Sequence, residues 1–525
     1  LTRPDAYDPA WLAAADGVTD DAAALDEMFA ALPEGAIVDG RGRTYRVDSP
    51  ITAIKSRQAF RNARLSLESA GSGAKAVSLT NTSGDVLLTS SLTRAATTIT
   101  VAGLSVGDLL FQRSLDEWAQ SGDVSSEWLV VDYVSGSTVV FANRVLGTYT
   151  TSPELFKPAV KTDITFDDVE IIGSVATDDQ WGWQFHNCAR ISLFNVRSLD
   201  VGERLIQFDR VYDVTVDGWR CERANALAPS GLGYGVVVSG GTQKALIKGG
   251  KASRTRHAVT VGGTSGVDRD VIVRDNFCDA CYDGGVDTHP GCTDVSILDN
   301  IVDCYTTSAA NSGTGITAQG ARQTIRGNKI RNVIGGAGIL AQPLTRLNND
   351  RLIIQSNEIE EVFTSGQSMI AVSNQKPAGA IRGIDVSGNI GRSSDTGIKG
   401  ITIEGTASGG LIENVSLNGN SMNCHAEALS LVARTGIIMQ YSGVLGGVYR
   451  TASTAVPAVS LYSESGGSYG QVGVITGVNA VGGSYSFANA SANPFGRMSL
   501  VGCRGFNFTT AFTSGSFDLS GNFSG

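Results

Sequence analysis

Between residues 276 and 420 one pattern returns at intervals of 24, 28, 29, 32 and 31 residues: a short alternating strand, a corner carrying Asn, and a second short strand. It reads VIVRDNFCDA around Asn276, SILDNIVDC around Asn300, TIRGNKIRNV around Asn328, LIIQSNEIEEV around Asn357, IDVSGNIGRS around Asn389 and VSLNGNSMNC around Asn420. In such repeats each unit contacts only its neighbours and buries its apolar face against them. Asn tolerates the left-handed backbone of a sharp corner, and stacked side-chain amides hydrogen-bond along a ladder. A period of this length with three short strands per turn predicts an all-β chain, a right-handed parallel β-helix. The 64 glycines among 525 residues, against roughly 7 % in average proteins, fit as corner punctuation.

Weaker rungs extend the pattern backward through 163–174, 189–198 and 212–221, and forward to about 482. At about 4.8 Å per rung, roughly a dozen rungs make a rod on the order of 60 Å long. Its exposed first rung needs a cap, and a helix is expected where Leu25, Met28, Phe29 and Leu32 share one face, with Thr19 or Asp20 as N-cap and Pro33 and Gly35 as stop. Four segments follow: 1–83, the N-terminal cap and first rungs; 84–158, a small inserted β-domain of longer alternating runs; 159–484, the main β-helix; and 485–525, a β-rich packing or oligomerisation segment with Phe506, Phe508, Phe512, Phe517 and Phe523.

A chain with 42 % apolar and 18 % charged residues buries a large core, which excludes wholesale disorder and a coiled coil. No apolar run reaches membrane-spanning length. A net charge of −10 without clustered Lys and Arg argues against a nucleic-acid partner. The chain opens at Leu1 with no Met and no signal-like segment, so a fragment of a longer protein is expected. Of the eight cysteines, Cys278 and Cys281 form one C-x-x-C without a matching second pair, so no metal and no cofactor is expected. Cys221, Cys304 and Cys424 follow their corner residues by four, as Cys188 and Cys292 precede Ile191 and Val295 by three, which suggests stacked core thiols.

Chemistry is expected on the strands before the corners. Aligning GVVVSGG, HAVTVGG, GGVDTHPG, TGITAQG and AGILAQP stacks Val237, Val259, Val286, Ile316 and Ile339 inward. Alternation then turns Asp287 and His289 outward together, beside Thr260, Gly262, Thr317 and Gln319. A carboxylate and an imidazole over a shallow polar floor suit a sugar ring or a proton-transfer role. His257 lies one rung away, with Arg254, Arg256 and Arg274 nearby in sequence. A second row, Asp279, Asp303, Arg331 and Glu360, follows the corners by three residues; Asp279 and Asp303 would stand roughly 5 Å apart, near the retaining-glycosidase separation. Asp283 is a further carboxylate partner for Asp287. Trp181, Trp183, Tyr234 and Tyr282 supply flat rings for sugar binding. The plainer alternative for all of these is solvated surface and structural packing.

Three stretches carry a resemblance to a known family. AYDPAWLAAADGVTDDAAALDEMFAAL with GAIVDGRGRTYRVDSPI, then GDLLFQRS and VVDYVSGSTVVFANRV, then GYGVVVSGG, RTRHAVTVGG and GVDTHPGCTDVSILDN, resemble bacteriophage tailspikes of the pectate-lyase-like β-helix superfamily. The resemblance covers most of residues 5–335; the last third matches only as generic β-helix. It implies a homotrimeric fibre at the virion tail, attached to the phage particle by a preceding N-terminal domain, that binds and usually cleaves a bacterial surface polysaccharide, O-antigen or capsule. Two chemistries stay open. In β-elimination of a uronate-containing glycan, His289 or His257 would take the proton while an arginine offsets enolate charge, and the concentration of His and Arg favours this route. Hydrolysis would pair Asp287 with Asp283, or Asp279 with Asp303. A non-catalytic receptor-binding fibre, and a cellular enzyme of the pectinase or uronan-epimerase kind, are the rival readings.

Overall fold

The computed structural model describes residues 6–118, 124–174, 179–224, 233–263, 265–304, 313–344, 351–363, 366–374, 380–405 and 411–433, with shorter stretches between 438 and 518. The described residues are all-β apart from one α-helix and one 3-10 turn, and the chain divides into two compact units, Leu1–Asn276 and Phe277–Gly525. Each is a right-handed parallel β-helix.

In the first unit the helix Ala22–Ala31 buries Leu25, Met28 and Phe29, and Phe29 meets Phe60 of the first rungs edge-on at 5.5 Å. Asp21 occupies the N-cap position without capping; its carboxylate accepts from the Ala14 and Ala15 amides, while Asp20 accepts from Ala22 N at 3.1 Å. Strands Ala59–Ser66, Lys161–Ile172, Trp181–Phe194 and Arg204–Asp217 then stack in parallel register, followed by Tyr234–Ser239 and Gln243–Lys248. Their inward side chains, among them Phe166, Phe185 and Phe208, are fully buried, and Phe185 stacks on Phe208 at 5.4 Å.

A six-stranded antiparallel sheet spans residues 86–156 within this unit. Its strand Leu109–Glu117 is buried on both sides: Leu110 faces the sheet's own core with Leu129, Val139 and Phe141, and Leu109 and Phe111 join Trp128, Ala189 and Tyr212 against the coil. Trp128 N donates to Gln243 Oε1 at 3.1 Å, and the buried Arg269 reaches Ser126 O at 3.3 Å, so polar bonds also fix the sheet in place.

In the second unit the corner asparagines form a continuous buried ladder. The backbone N–H and Nδ2 of Asn300 both donate to Asn328 Oδ1 at 3.0 Å, and the same pair of bonds links Asn328 to Asn357, Asn357 to Asn389 and Asn389 to Asn420. Asn is therefore required for its amide. The left-handed residue is the one before it: Asp299, Gly327, Ser356, Gly388 and Gly419 all have positive φ, which corrects the expectation that Asn itself turns the corner. In the first unit Trp219 holds the corner position, and its Nε1 donates to Asn276 Oδ1 at 3.1 Å. A Cβ on Gly250 would lie 2.0 Å from that indole nitrogen, so only Gly fits there.

Cys304 and Cys424 do follow their Asn corners by four, but Cys221 stands two residues past Trp219, so it does not share their position. Cys188, Cys221, Cys278, Cys281, Cys292, Cys304 and Cys424 are buried; Cys503 lies outside the described residues. Beyond residue 485 parallel pairing continues, Tyr485–Asn489 on Val459–Ser463 and Phe517–Asp518 on Met498–Val501, so the described strands of this segment are further rungs. Phe506, Phe512 and Phe523 lie outside the described residues. No helix among the described residues is long and apolar enough to cross a membrane.

Candidate functional site

In the second unit Val286, Ile316, Ile339, Ile370 and Ile401 stack inward in register, and Asp287 pairs with Thr317 on the outer face. His289 Nε2 stands 3.1 Å from Asp287 Oδ2, with the imidazole 47 % and the carboxylate 11 % exposed. A largely buried carboxylate thus orients an accessible ring. The floor is fixed from below: Thr288 points inward, and its hydroxyl accepts from Gln319 N at 3.0 Å and Gln323 Nε2 at 2.8 Å. Cys292 Sγ donates to His289 O at 3.1 Å and pins the turn that follows.

Asp279 and Asp303 are register partners, as the spacing predicts, on a different strand column from Asp287. Asp303 is held by Arg331 Nε at 2.8 Å and Asn332 Nδ2 at 3.1 Å, which makes it part of an ion-paired surface row. Tyr282 and Asp283 sit in the turn between the two columns, half-buried, and Thr314 N donates to Asp283 O.

In the first unit the alignment of GVVVSGG is one residue out: Val236 pairs with Val259 inward, and Val237 pairs with Thr260 on the outer face. Three consecutive valines gave alternation no handle. His257 pairs with Tyr234, and the two rings stack at 5.6 Å. Arg256 Nη1 donates to the Tyr234 hydroxyl at 2.7 Å, so Tyr234, Arg256 and His257 form one cluster. Arg254 is an exposed left-handed corner residue. Arg274 belongs to a different strand column, in register with Lys248, and its Nε bonds Asp275 at 2.7 Å. Trp183 is corrected outright: its ring is fully buried and packs edge-on against Phe166 at 6.0 Å, inside the coil, where no sugar reaches.

The sequence reading missed Lys75 and Arg204, and it did not join Trp181 to this cluster. Lys75, Trp181, Arg204, Tyr234 and His257 are successive register partners, one per rung. From Trp181 onward each lies two residues before the first inward residue of its strand, Trp183, Ile206, Val236 and Val259, and that offset is the signal that would have found them. Alongside run Gln184 and Gln207, and then His186 and Asp209, whose Nδ1 and Oδ2 are 3.1 Å apart. The described residues contain no group of three or more His, Cys, Asp or Glu arranged to hold a metal ion.

Structures of known proteins share this architecture. The tailspike gp49 of Pseudomonas phage LKA1 superposes with a TM-score of 0.58 at 14 % identity, over 92 % of this chain and 83 % of that one. The tailspike gp61 of Pseudomonas phage phi297 gives 0.53 at 14 % identity, over 97 % and 82 %. The chain has the fold of the phage tailspikes. The gp54 tailspike of Acinetobacter baumannii bacteriophage AP22, solved in complex with A. baumannii capsular saccharide, gives 0.50 at 12 % identity, over 95 % and 76 %. By sequence, residues 13–71, which hold the capping helix and the first rungs, match the family model of the N-terminal extension of bacteriophage endosialidase. No curated protein matches the chain.

Proposed function

We propose that the protein is a phage tailspike that binds and depolymerises a bacterial surface polysaccharide. The observation that carries the reading is an outer face bearing the Asp287–His289 pair on the tailspike fold, a fold whose AP22 member was solved with a capsular saccharide. The reading brings with it a homotrimer at the virion tail.

The pair favours β-elimination. With Nε2–H donated to Asp287, the imidazole lone pair lies on Nδ1, and the carboxylate stabilises the imidazolium that forms on proton capture. Nδ1 would take the proton α to a uronate carboxyl; the electron pair forms a C=C bond, the glycosidic C–O bond breaks, and the departing oxygen takes a proton. Each cut creates one reducing end and one unsaturated sugar. In hydrolysis Asp287 would act with Asp283. Asp279 with Asp303 is the weaker pair, because Arg331 and Asn332 already bind Asp303.

The test incubates the protein with purified host surface polysaccharide and follows ultraviolet absorbance and reducing ends together. Both rising means a lyase, reducing ends alone mean a hydrolase, and neither refutes the enzyme. Asp287→Asn and His289→Ala should each lower kcat by roughly 100-fold or more with thermal stability unchanged; full activity in both overturns the site.

A further inference from the structure

The edge row of the first unit is a built electrostatic feature on the coil's outer side. The indole of Trp181 lies between two cations contributed by the rungs on either side: Lys75 Nζ is 4.8 Å from the ring centroid and Arg204 Cζ is 4.2 Å. Arg204 also stands 5.7 Å from the Tyr234 ring. Cation and ring alternate along the axis, each fixing the next. Glu203 locks the register by accepting from Trp181 Nε1 and from Arg204 Nε at 2.9 Å.

This arrangement decides what the row recognises. The faces of Trp181 are taken by Lys75 and Arg204, so stacking a sugar on that indole is not what it offers. It offers two cations held at fixed height, with donors to spare. Lys75 gives one hydrogen bond, to Gln184 Oε1 at 2.8 Å, and Arg204 directs Nε and Nη2 to Glu203, which leaves Nη1. Both side chains are partly exposed, on a chain whose net charge is −10. Pre-positioned cations whose rotamers are already fixed bind an anion with little further loss of entropy.

We propose that the row Lys75–Trp181–Arg204 is a binding strip for a carboxylate-bearing sugar of the glycan, with the carboxylate on Arg204 Nη1 and, across the indole, Lys75 Nζ and the amide of Gln184 holding further oxygens of the glycan. This rests on the reading of the protein as a polysaccharide binder, and it names the class of that polysaccharide as acidic.

A panel of purified bacterial capsules and O-antigens, each immobilised beside its carboxyl-reduced form, would be probed with the full chain by surface plasmon resonance. The polymer bound should contain a carboxylated sugar, and its reduction should weaken binding at least tenfold. Arg204→Gln and Lys75→Gln should each weaken binding roughly 10- to 100-fold, as expected for a lost charge-assisted hydrogen bond, and should raise KM more than they lower kcat. Arg204→Lys, which keeps the charge against Trp181, should lose less. A bound polymer that is neutral, affinity unchanged by carboxyl reduction, or wild-type binding in Arg204→Gln and Lys75→Gln would each overturn the strip while leaving a polysaccharide binder in place. If no polymer on the panel is bound or cleaved, the functional reading itself falls, and the strip with it.

Discussion

Removing one amide from the asparagine ladder should open the coil locally by a predictable amount. Asn357 is buried and makes four side-chain hydrogen bonds: its Oδ1 accepts from the backbone N and from Nδ2 of Asn328, and its Nδ2 donates to Ile325 O and to Asn389 Oδ1, all at 2.9–3.0 Å. In Asn357→Ala the Asn328 Nδ2 keeps Ile297 O, and Asn389 Oδ1 keeps the Asn357 backbone N–H. The backbone N–H of Asn328 loses the acceptor it has in the ladder. One orphaned buried donor costs about 1–3 kcal/mol, and the three other bonds contribute about 0.5–1.5 kcal/mol each, so the sum is about 2.5–7.5 kcal/mol. Native-state hydrogen exchange reads this directly, because opening of the Asn328 amide is local and needs no two-state unfolding of a long repeat. Its protection should fall by roughly two to five powers of ten. A fall smaller than about fivefold, or an equal fall at amides far from the corner, would refute the claim that the ladder stabilises rung by rung.

Trp183→Leu should destabilise the first unit by about 2–4 kcal/mol through the cavity it leaves, with glycan affinity unchanged; calorimetry and binding measured together check both halves. Burial pushes the Asp268 carboxyl well above the usual carboxylate range, against hydrogen bonds from Thr242 N and Gly241 N that pull it down. A raised folded-state pKa gives stability that is fully present below the unfolded value near 4 and is lost as pH rises through the folded value. Asp268→Asn should therefore leave the first unit at least as stable at pH 7 and flatten its decline above pH 4, as followed by thermal melts across pH.

The coil was legible because the ladder admits only Asn: a buried corner that must accept two N–H groups and donate twice has no other side chain of that size. The same logic fails at Trp219, where an indole N–H donates to Asn276 Oδ1 and a glycine makes room, so the rungs of the first unit looked weaker than they are. Asp287 and His289 were legible as neighbours because strand alternation is local. Lys75 and Arg204 were not, nor was the place of Trp181 between them, because the sheet of residues 86–156 separates Lys75 from its partner Trp181 in sequence, and the corner bend sets the row off strict parity. Trp183 shows the converse: an aromatic two residues from a half-buried one on the outer face belongs to the core.

The corners from Asn300 to Asn420 keep their bonding although the spacing between successive asparagines varies from 28 to 32 residues. What is conserved from rung to rung is a junction, and the path between junctions is free. Insertions and deletions can therefore accumulate in the connecting loops without a change in the stacking of the rungs above and below. A scaffold of this kind separates the rate at which its recognition surface changes from the rate at which its core can, so a new glycan preference could be grafted by loop exchange alone.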